Sequence, residues 1–292
     1  MSLRLEMLQV ARLGPSVLGT SATELVRAFL RSQADSSGGF LDRDGQPDLY
    51  YTAFAADALT ALQAPLPPAL ASYLAGHAPE SLDFVHACCL ARLLSHPGMP
   101  ADLAPAALVR IESFRTPDGG YNQTAAAPSG SAYAALLAYG AYADHHRAVP
   151  HPDALSAAVV SLADRETGGY VNDPDLPIPN APATAAAVAL SRNLRAPVAG
   201  GAADFLLSCF HPATGGFLPF PGAPLPDLLS TAVALHALDG LQIPFDQIAT
   251  PTLDFIDTLW SAEGGFHCNW TDDSLDCEYT YYGLLALGHL AL

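Results

Sequence analysis

The chain alternates between two kinds of apolar segment. One is amphipathic, as in ATELVRAFLRSQ (Ala22 to Gln33), where apolar positions recur every three or four residues between polar ones. The other is apolar almost all round, as in YTAFAADALTAL (Tyr51 to Leu62). Both kinds run for about 10 to 16 residues, a length that favours helices over strands. A half-polar helix lies against solvent, whereas a helix apolar on every side must be covered on most of them. The amphipathic segments begin near Ala22, Pro67, Ala101, Asp153, Gly200 and Gln247. The apolar ones begin near Asp48, Asp83, Ser131, Thr184, Asp227 and Asp276. The pattern predicts an all-α fold of six helical-hairpin repeats, an α6/α6 toroid in which inner helices are ringed by outer ones. It is expected to occupy residues 1–292 as one domain, with a short N-terminal helix within residues 1–20.

Punctuation supports the repeat. Gly-Gly-aromatic occurs at Gly38, Gly119, Gly168, Gly215 and Gly264, and the last four copies are 47 to 49 residues apart. The wide gap between Gly38 and Gly119 holds a further copy without the glycine pair, SLDFVHACCLARLL (Ser81 to Leu94). A period of this length marks units that stack to share one core. The recurring aspartates at the starts of the apolar segments are what helix N-caps require.

Composition narrows the partners. Half of the 292 residues are hydrophobic, and 12 basic residues, all Arg, face 29 acidic ones for a formal net charge of −17. So acidic a surface repels nucleic-acid phosphates and anionic lipid. Cys88, Cys89, Cys209, Cys268 and Cys277 are odd in number and lack a C-x-x-C pair, so free thiols of a reducing compartment are expected. MSLRLEMLQVARLG has no continuous apolar core of a signal peptide, and no stretch has the length of a membrane span. The expected location is cytoplasmic, with no membrane span and no nucleic-acid partner.

The repeat grammar, G-G-[FY], a polar loop, Asp, then a Thr- and aromatic-rich helix, resembles that of protein prenyltransferase β subunits and squalene/oxidosqualene cyclases. The resemblance covers about residues 20–292. The transferase side is the nearer, because the tryptophan-bearing QW motif and the D-x-D-D motif of the cyclases are absent. It implies a rim site in which Zn²⁺ activates an acceptor thiolate, an isoprenoid substrate, and a helical α-type partner subunit. Gly38-Gly39-Phe40-Leu41-Asp42-Arg43 and Asp48-Leu49-Tyr50-Tyr51 are similar to the family's first signature. Arg43 then matches a diphosphate-contacting arginine, Asp48 a zinc aspartate, and Tyr51 a catalytic-site tyrosine. Asp83-Phe84-Val85-His86 fits D-x-x-H and makes His86 the zinc histidine. Tyr50 stands where the family has its zinc cysteine, so Cys277 of the last repeat, or Asp276, is the candidate third ligand.

An aromatic funnel is the second expectation. Tyr50, Phe54, Tyr279 and Tyr282, with Tyr51, Tyr133, Tyr139 and Tyr281, lie on apolar segments and suit an isoprenoid chain or cation. A departing diphosphate needs cations, and the chain offers Arg43, Arg115 and Arg165 or a bound Mg²⁺. Three functions follow: prenyl transfer, a cyclase-like or terpenoid-binding toroid without zinc, and a non-catalytic scaffold.

Overall fold

The structure is a computed structural model that describes residues 2–292. Its α-helices are α1 (Leu3–Ala11), α2 (Gly14–Ser32), α3 (Leu49–Ala61), α4 (Leu70–Ala75), α5 (Phe84–Leu94), α6 (Ala104–Glu112), α7 (Ala132–Asp144), α8 (Pro152–Val160), α9 (Ala181–Leu194), α10 (Ala202–Ser208), α11 (Leu228–Gly240), α12 (Asp246–Thr258) and α13 (Cys277–His289). A short antiparallel hairpin, β1 (Phe40–Leu41) with β2 (Pro47–Asp48), leads into α3. No helix among the described residues is long and apolar enough to cross a membrane.

The uniformly apolar segments form the inside. α3, α5, α7, α9, α11 and α13 each pack against the next, and α13 packs against α3, so the ring closes. The amphipathic helices lie outside it. α6, α8 and α10 each straddle two neighbouring ring helices, and α2 bridges α13 and α3 at the seam. The result is an α/α toroid. Its hairpins are uneven, since α4 has six residues and α10 seven against 13 in α12.

The N-terminal helix is short. It stops at Ala11, and α2 turns sharply at Gly19 (φ 75°), beyond which it becomes the outer helix expected from Ala22. α1 instead packs on α13, α3 and α7, so it lies across one end of the ring. The ninth helix starts at Ala181 rather than near Thr184. Asn180 caps it, and Pro182 fits the first turn, where no intrahelical N–H partner is lost.

One local device recurs in each repeat. Asp48, Asp83, Ser131, Asn180, Asp227 and Asp276 all accept hydrogen bonds from first-turn N–H groups of the ring helices. A Thr four residues after the cap ties the glycine loop to the helix. Thr231 Oγ1 donates to the Asp227 carbonyl and accepts from Phe217 N–H at 3.0 Å. Thr52 with Phe40, and Thr184 with Tyr170, repeat the arrangement. The loop aromatics Phe40, Tyr170 and Phe217 held in this way are buried between the layers, as are Tyr121 and Phe266 of the other loops. Gly215 (φ 82°) shows why glycine precedes them: a Cβ there would collide with the Pro251 carbonyl.

Candidate active site

The ring helices run parallel, and their inward faces enclose a cavity of about 360 Å³. Its wall follows helical periodicity. The second residues of five helices form the upper tier: Tyr50 of α3, Tyr133 of α7, Pro182 of α9, Leu229 of α11 and Glu278 of α13. One to two turns on come small and apolar side chains, among them Cys88, Cys89, Ala186 and Val233, with Tyr282. Arg92 and His236 hold the ninth positions of α5 and α11, and Asp144 the thirteenth of α7. Leu3, Arg4 and Met7 of α1 complete that lower end.

The upper tier carries an acid. Tyr50 O–H donates to Glu278 Oε1 at 2.6 Å. Burial raises the Glu278 carboxyl from its ordinary 4.5 to about 7; nearby Asp276 adds to this, while Tyr50 and Arg43 oppose it. Burial, then Tyr282 and Glu278, push the Tyr50 phenol far up, so it remains a donor. Phe54 stacks edge-on to Tyr50 at 5.0 Å and touches Tyr282 at 5.4 Å, standing behind the wall rather than in it.

The rim brings together most of the residues picked out by motif, in roles the motif did not foresee. His86 Nε2 lies 2.8 Å from Asp48 Oδ2, and its Nδ1 lies 2.7 Å from Asp83 Oδ2. The bond to Asp48 is the largest factor raising the imidazole to about 9; burial opposes it and Asp83 assists. Asp48 Oδ1 meanwhile caps α3 through Tyr50 and Tyr51 N–H. Arg43 Nε donates to Asp276 Oδ2 at 2.9 Å, its Nη2 donates to Asp272 Oδ2 at 2.9 Å, and its guanidinium lies over the Tyr279 ring. Arg43 therefore fastens the first repeat to the last. Tyr51 stands edge-on to Tyr50 at the rim, and burial raises its phenol to about 12. Arg115 is held by Glu112 and the Gly119 and Pro150 carbonyls.

The expected zinc set of Asp48, His86 and Cys277 is not assembled. Cys277 is fully buried at the start of α13, where burial raises its thiol, and thiolate is the form a metal binds. Both His86 nitrogens are taken by carboxylates, Nε2 by Asp48 and Nδ1 by Asp83. Among the described residues no three His, Cys, Asp or Glu side chains are placed to hold a metal. Asp272 and Asp276 are paired with Arg43.

The lower end is polar. Asp57, fully buried, accepts from Arg4 Nε at 2.7 Å and Arg92 Nε at 2.6 Å, with His96 Nε2 at 3.2 Å. Burial alone would raise the Asp57 carboxyl, but Arg92 and Arg4 outweigh it and hold it far below the usual range. Asp144 Oδ1 and His236 Nε2 are buried without a protein partner. His236 Nδ1 meets His289 Nε2 at 3.1 Å, and burial, with Arg192 nearby, lowers the His236 imidazole to about 4.

Glu278, Arg92, Asp144 and His236 escape motif reading, yet a signal for them exists. Once the helix starts are set by their caps, these polar residues fall on the same inward stripe as Tyr50, Tyr133 and Tyr282.

The overall fold is shared with solved structures. The chain is similar over 97% of its length to a variant of type II terpene cyclase MstE from Scytonema solved with its substrate geranylgeranyl dihydroxybenzoate, with 97% of that chain covered, a TM-score of 0.57 and 12% identity. A possible member of the GH105 family from Klebsiella pneumoniae subsp. pneumoniae is similar at TM-score 0.54 and 14% identity, over 92% of both chains. Candida albicans protein geranylgeranyltransferase-I complexed with GGPP aligns at TM-score 0.49 and 16% identity, over 99% of this chain and 84% of that one. At these identities the likeness concerns the fold. No curated protein sequence matches significantly. The model of the prenyltransferase alpha-alpha toroid domain matches residues 7–88 and 183–291, well over half of the chain and both sides of the seam that Arg43 closes, and the chain belongs to that family.

Proposed function

We propose that the chain binds a linear isoprenoid in its central cavity and cyclises it by protonation, with the Glu278 carboxyl as proton donor. The observation that carries this is a buried carboxyl, raised to about 7 and hydrogen-bonded to Tyr50, set in a wall of Tyr, Leu and Ala. An acid with a pKa near the working pH combines a large protonated fraction with a useful driving force. Paired polar groups inside an apolar pocket are the usual mark of a small-molecule site, and the volume falls within the common range of about 300–1,000 Å³.

With Oε1 accepting from Tyr50, the acid proton resides on Oε2. Its transfer to a terminal alkene or epoxide opens that group and leaves a tertiary carbocation. The next alkene supplies its electron pair to form a ring C–C bond. Loss of a proton from a carbon beside the last cation restores an alkene, so the product is an isomer of the substrate. Tyr50 stabilises the carboxylate left behind. The faces of Tyr282 and Tyr133 attract the cation as it moves inward. Prenyl transfer has less support, because Arg43 is committed to Asp272 and Asp276 and the residues around Asp48 do not fit zinc. The cyclisation reading calls for no partner subunit.

The test is incubation of the purified protein with all-trans-geranylgeraniol and with its terminal epoxide, followed by mass-resolved gas chromatography. Cyclic isomers are expected from the wild type. Glu278→Gln is expected to bind the probes and lose turnover by about 100-fold or more, as loss of a general acid does. No cyclic isomer from either probe, or full turnover by Glu278→Gln, overturns the assignment.

A further inference from the structure

Four glycines stand in the ring helices, and packing demands three of them. A Cβ at Gly240 would meet the Arg192 guanidinium, one at Gly283 the Phe266 ring, and one at Gly288 the Val10 carbonyl of α1. Gly140 of α7 is different: a Cβ there would have no neighbouring atom within 4 Å. Its backbone is that of an ordinary helical residue, and glycine weakens a helix interior relative to alanine. Neither packing nor backbone conformation therefore asks for glycine at this position. What it faces is the cavity. Tyr133, Leu136, Leu137, Gly140 and Asp144 all line it, at the three- and four-residue spacing of one helix face, and Gly140 stands within that stripe. A side chain at this position would enter the cavity space. As the ninth residue of α7, Gly140 lies about 10 Å along the ring from the tier of Glu278. Ala189 is at the same level on the adjoining α9, and Leu3 and Met7 of α1 complete that end.

We propose that Gly140 sets how long an isoprenoid the cavity takes: its missing side chain leaves a recess in the wall, and the part of the chain far from Glu278 lies in it. The inference rests on the reading of the cavity as an isoprenoid site. The recess suits hydrocarbon. It is bounded by helical backbone whose amides are bonded within α7, by Ala189, and by Leu3 and Met7 of α1. Arg92, at the same level on α5, is committed to Asp57. A hydrocarbon segment there buries apolar area and leaves no backbone polar group of α7 unmatched. Any side chain at position 140 takes its volume directly from that segment, because no protein atom stands close enough to share the space. A leucine side chain has nearly the size of one isoprene unit, so Gly140→Leu should shorten the accepted chain by roughly one unit.

The test is equilibrium dialysis of the intact protein against alcohols of increasing chain length: geraniol, farnesol and geranylgeraniol. The wild type is expected to bind geranylgeraniol tightest. Gly140→Leu is expected to bind it about 10-fold or more weaker, within the range that a few carbons command in an apolar pocket, and to keep its affinity for geraniol within about 2-fold. The order of preference then turns toward the shorter alcohols. Gly140→Ala is expected to lose a few-fold for geranylgeraniol and to raise the urea midpoint of unfolding, as alanine does in a helix where no contact requires glycine. That variant decides the matter should Gly140→Leu fail to fold. A folded Gly140→Leu that binds the three alcohols as the wild type does, or a Gly140→Ala that keeps full affinity for geranylgeraniol or lowers the midpoint, overturns the role of Gly140 and leaves the isoprenoid reading standing. If the wild type binds none of the three alcohols, the isoprenoid reading of the cavity falls, and the role of Gly140 with it.

Discussion

Glu278→Gln is expected to stabilise the protein at alkaline pH while removing its acid. In the folded state the Glu278 carboxyl titrates at about 7 instead of 4.5, because it is buried beside Asp276. A carboxyl whose folded pKa is raised binds its proton more tightly in the native state. Its ionisation therefore costs stability progressively as pH rises from 4.5 through 7, and the whole cost remains above that. At about 1.4 kcal/mol per tenfold change in proton affinity, the cost is about 3 kcal/mol at pH 8 and below about 1 kcal/mol at pH 5. Gln is nearly isosteric, stays neutral, and its carbonyl can still accept from Tyr50. The assay is urea unfolding of wild type and variant at both pH values, which avoids the screening that a charged denaturant adds. His86 is present in both proteins, so its titration cancels in the difference. The variant should be more stable by about 2–3 kcal/mol at pH 8 and nearly equal at pH 5. A variant less stable than wild type at pH 8, or a difference independent of pH, would refute the argument that Glu278 is held protonated by burial.

Further outcomes follow from other contacts. Asp57→Asn leaves Arg4 and Arg92 uncompensated in a buried site and should destabilise by about 3–5 kcal/mol in urea unfolding. Thr231→Val removes the hydroxyl that joins the Asp227 carbonyl to Phe217 N–H, and should cost about 1–3 kcal/mol by the same measure. His86 is raised by its carboxylates from 6.5 to about 9, so its contribution is complete below pH 6.5 and is lost as pH rises through 9. Because the ring is 34% exposed, solvent limits that loss to about 1 kcal/mol; it should vanish in His86→Gln and be visible in unfolding midpoints.

What the sequence revealed, and what it hid, has a physical order. Periodicity and caps are local, so the inner and outer helices could be placed from Asp48, Asp83, Ser131, Asp227 and Asp276, and the closed ring of apolar helices followed from their need for cover. α9 begins earlier than the pattern predicts because Asn180, not Thr184, caps it; Thr184 serves the loop staple instead. The rim was harder. Asp48 and His86 do meet at the rim, as a bonded pair, but a linear pattern cannot say that Asp83 takes the other imidazole nitrogen. Arg43 matched a phosphate-binding position, yet closure of the ring sets it against Asp272 and Asp276, more than 200 residues away in the chain. Glu278 was invisible for the same reason: its partner, Tyr50, lies on the far side of the seam. Residues whose environment is made by closure carry little local signal. The lower end of the cavity depends further on α1 crossing the ring, which no repeat pattern encodes.

The central claim is that a proton from the protein starts a reaction inside the cavity. Its most direct test is incubation with geranylgeraniol and its terminal epoxide in D₂O, with deuterium counted in each product. Acid-initiated cyclisation by an exchangeable Glu278 carboxyl predicts one carbon-bound deuterium in the cyclic product of geranylgeraniol, and none on carbon in that of the epoxide, whose deuteron goes to an exchangeable hydroxyl. Cyclic product from the alkene without deuterium on carbon, or no cyclic product from either probe, would contradict it.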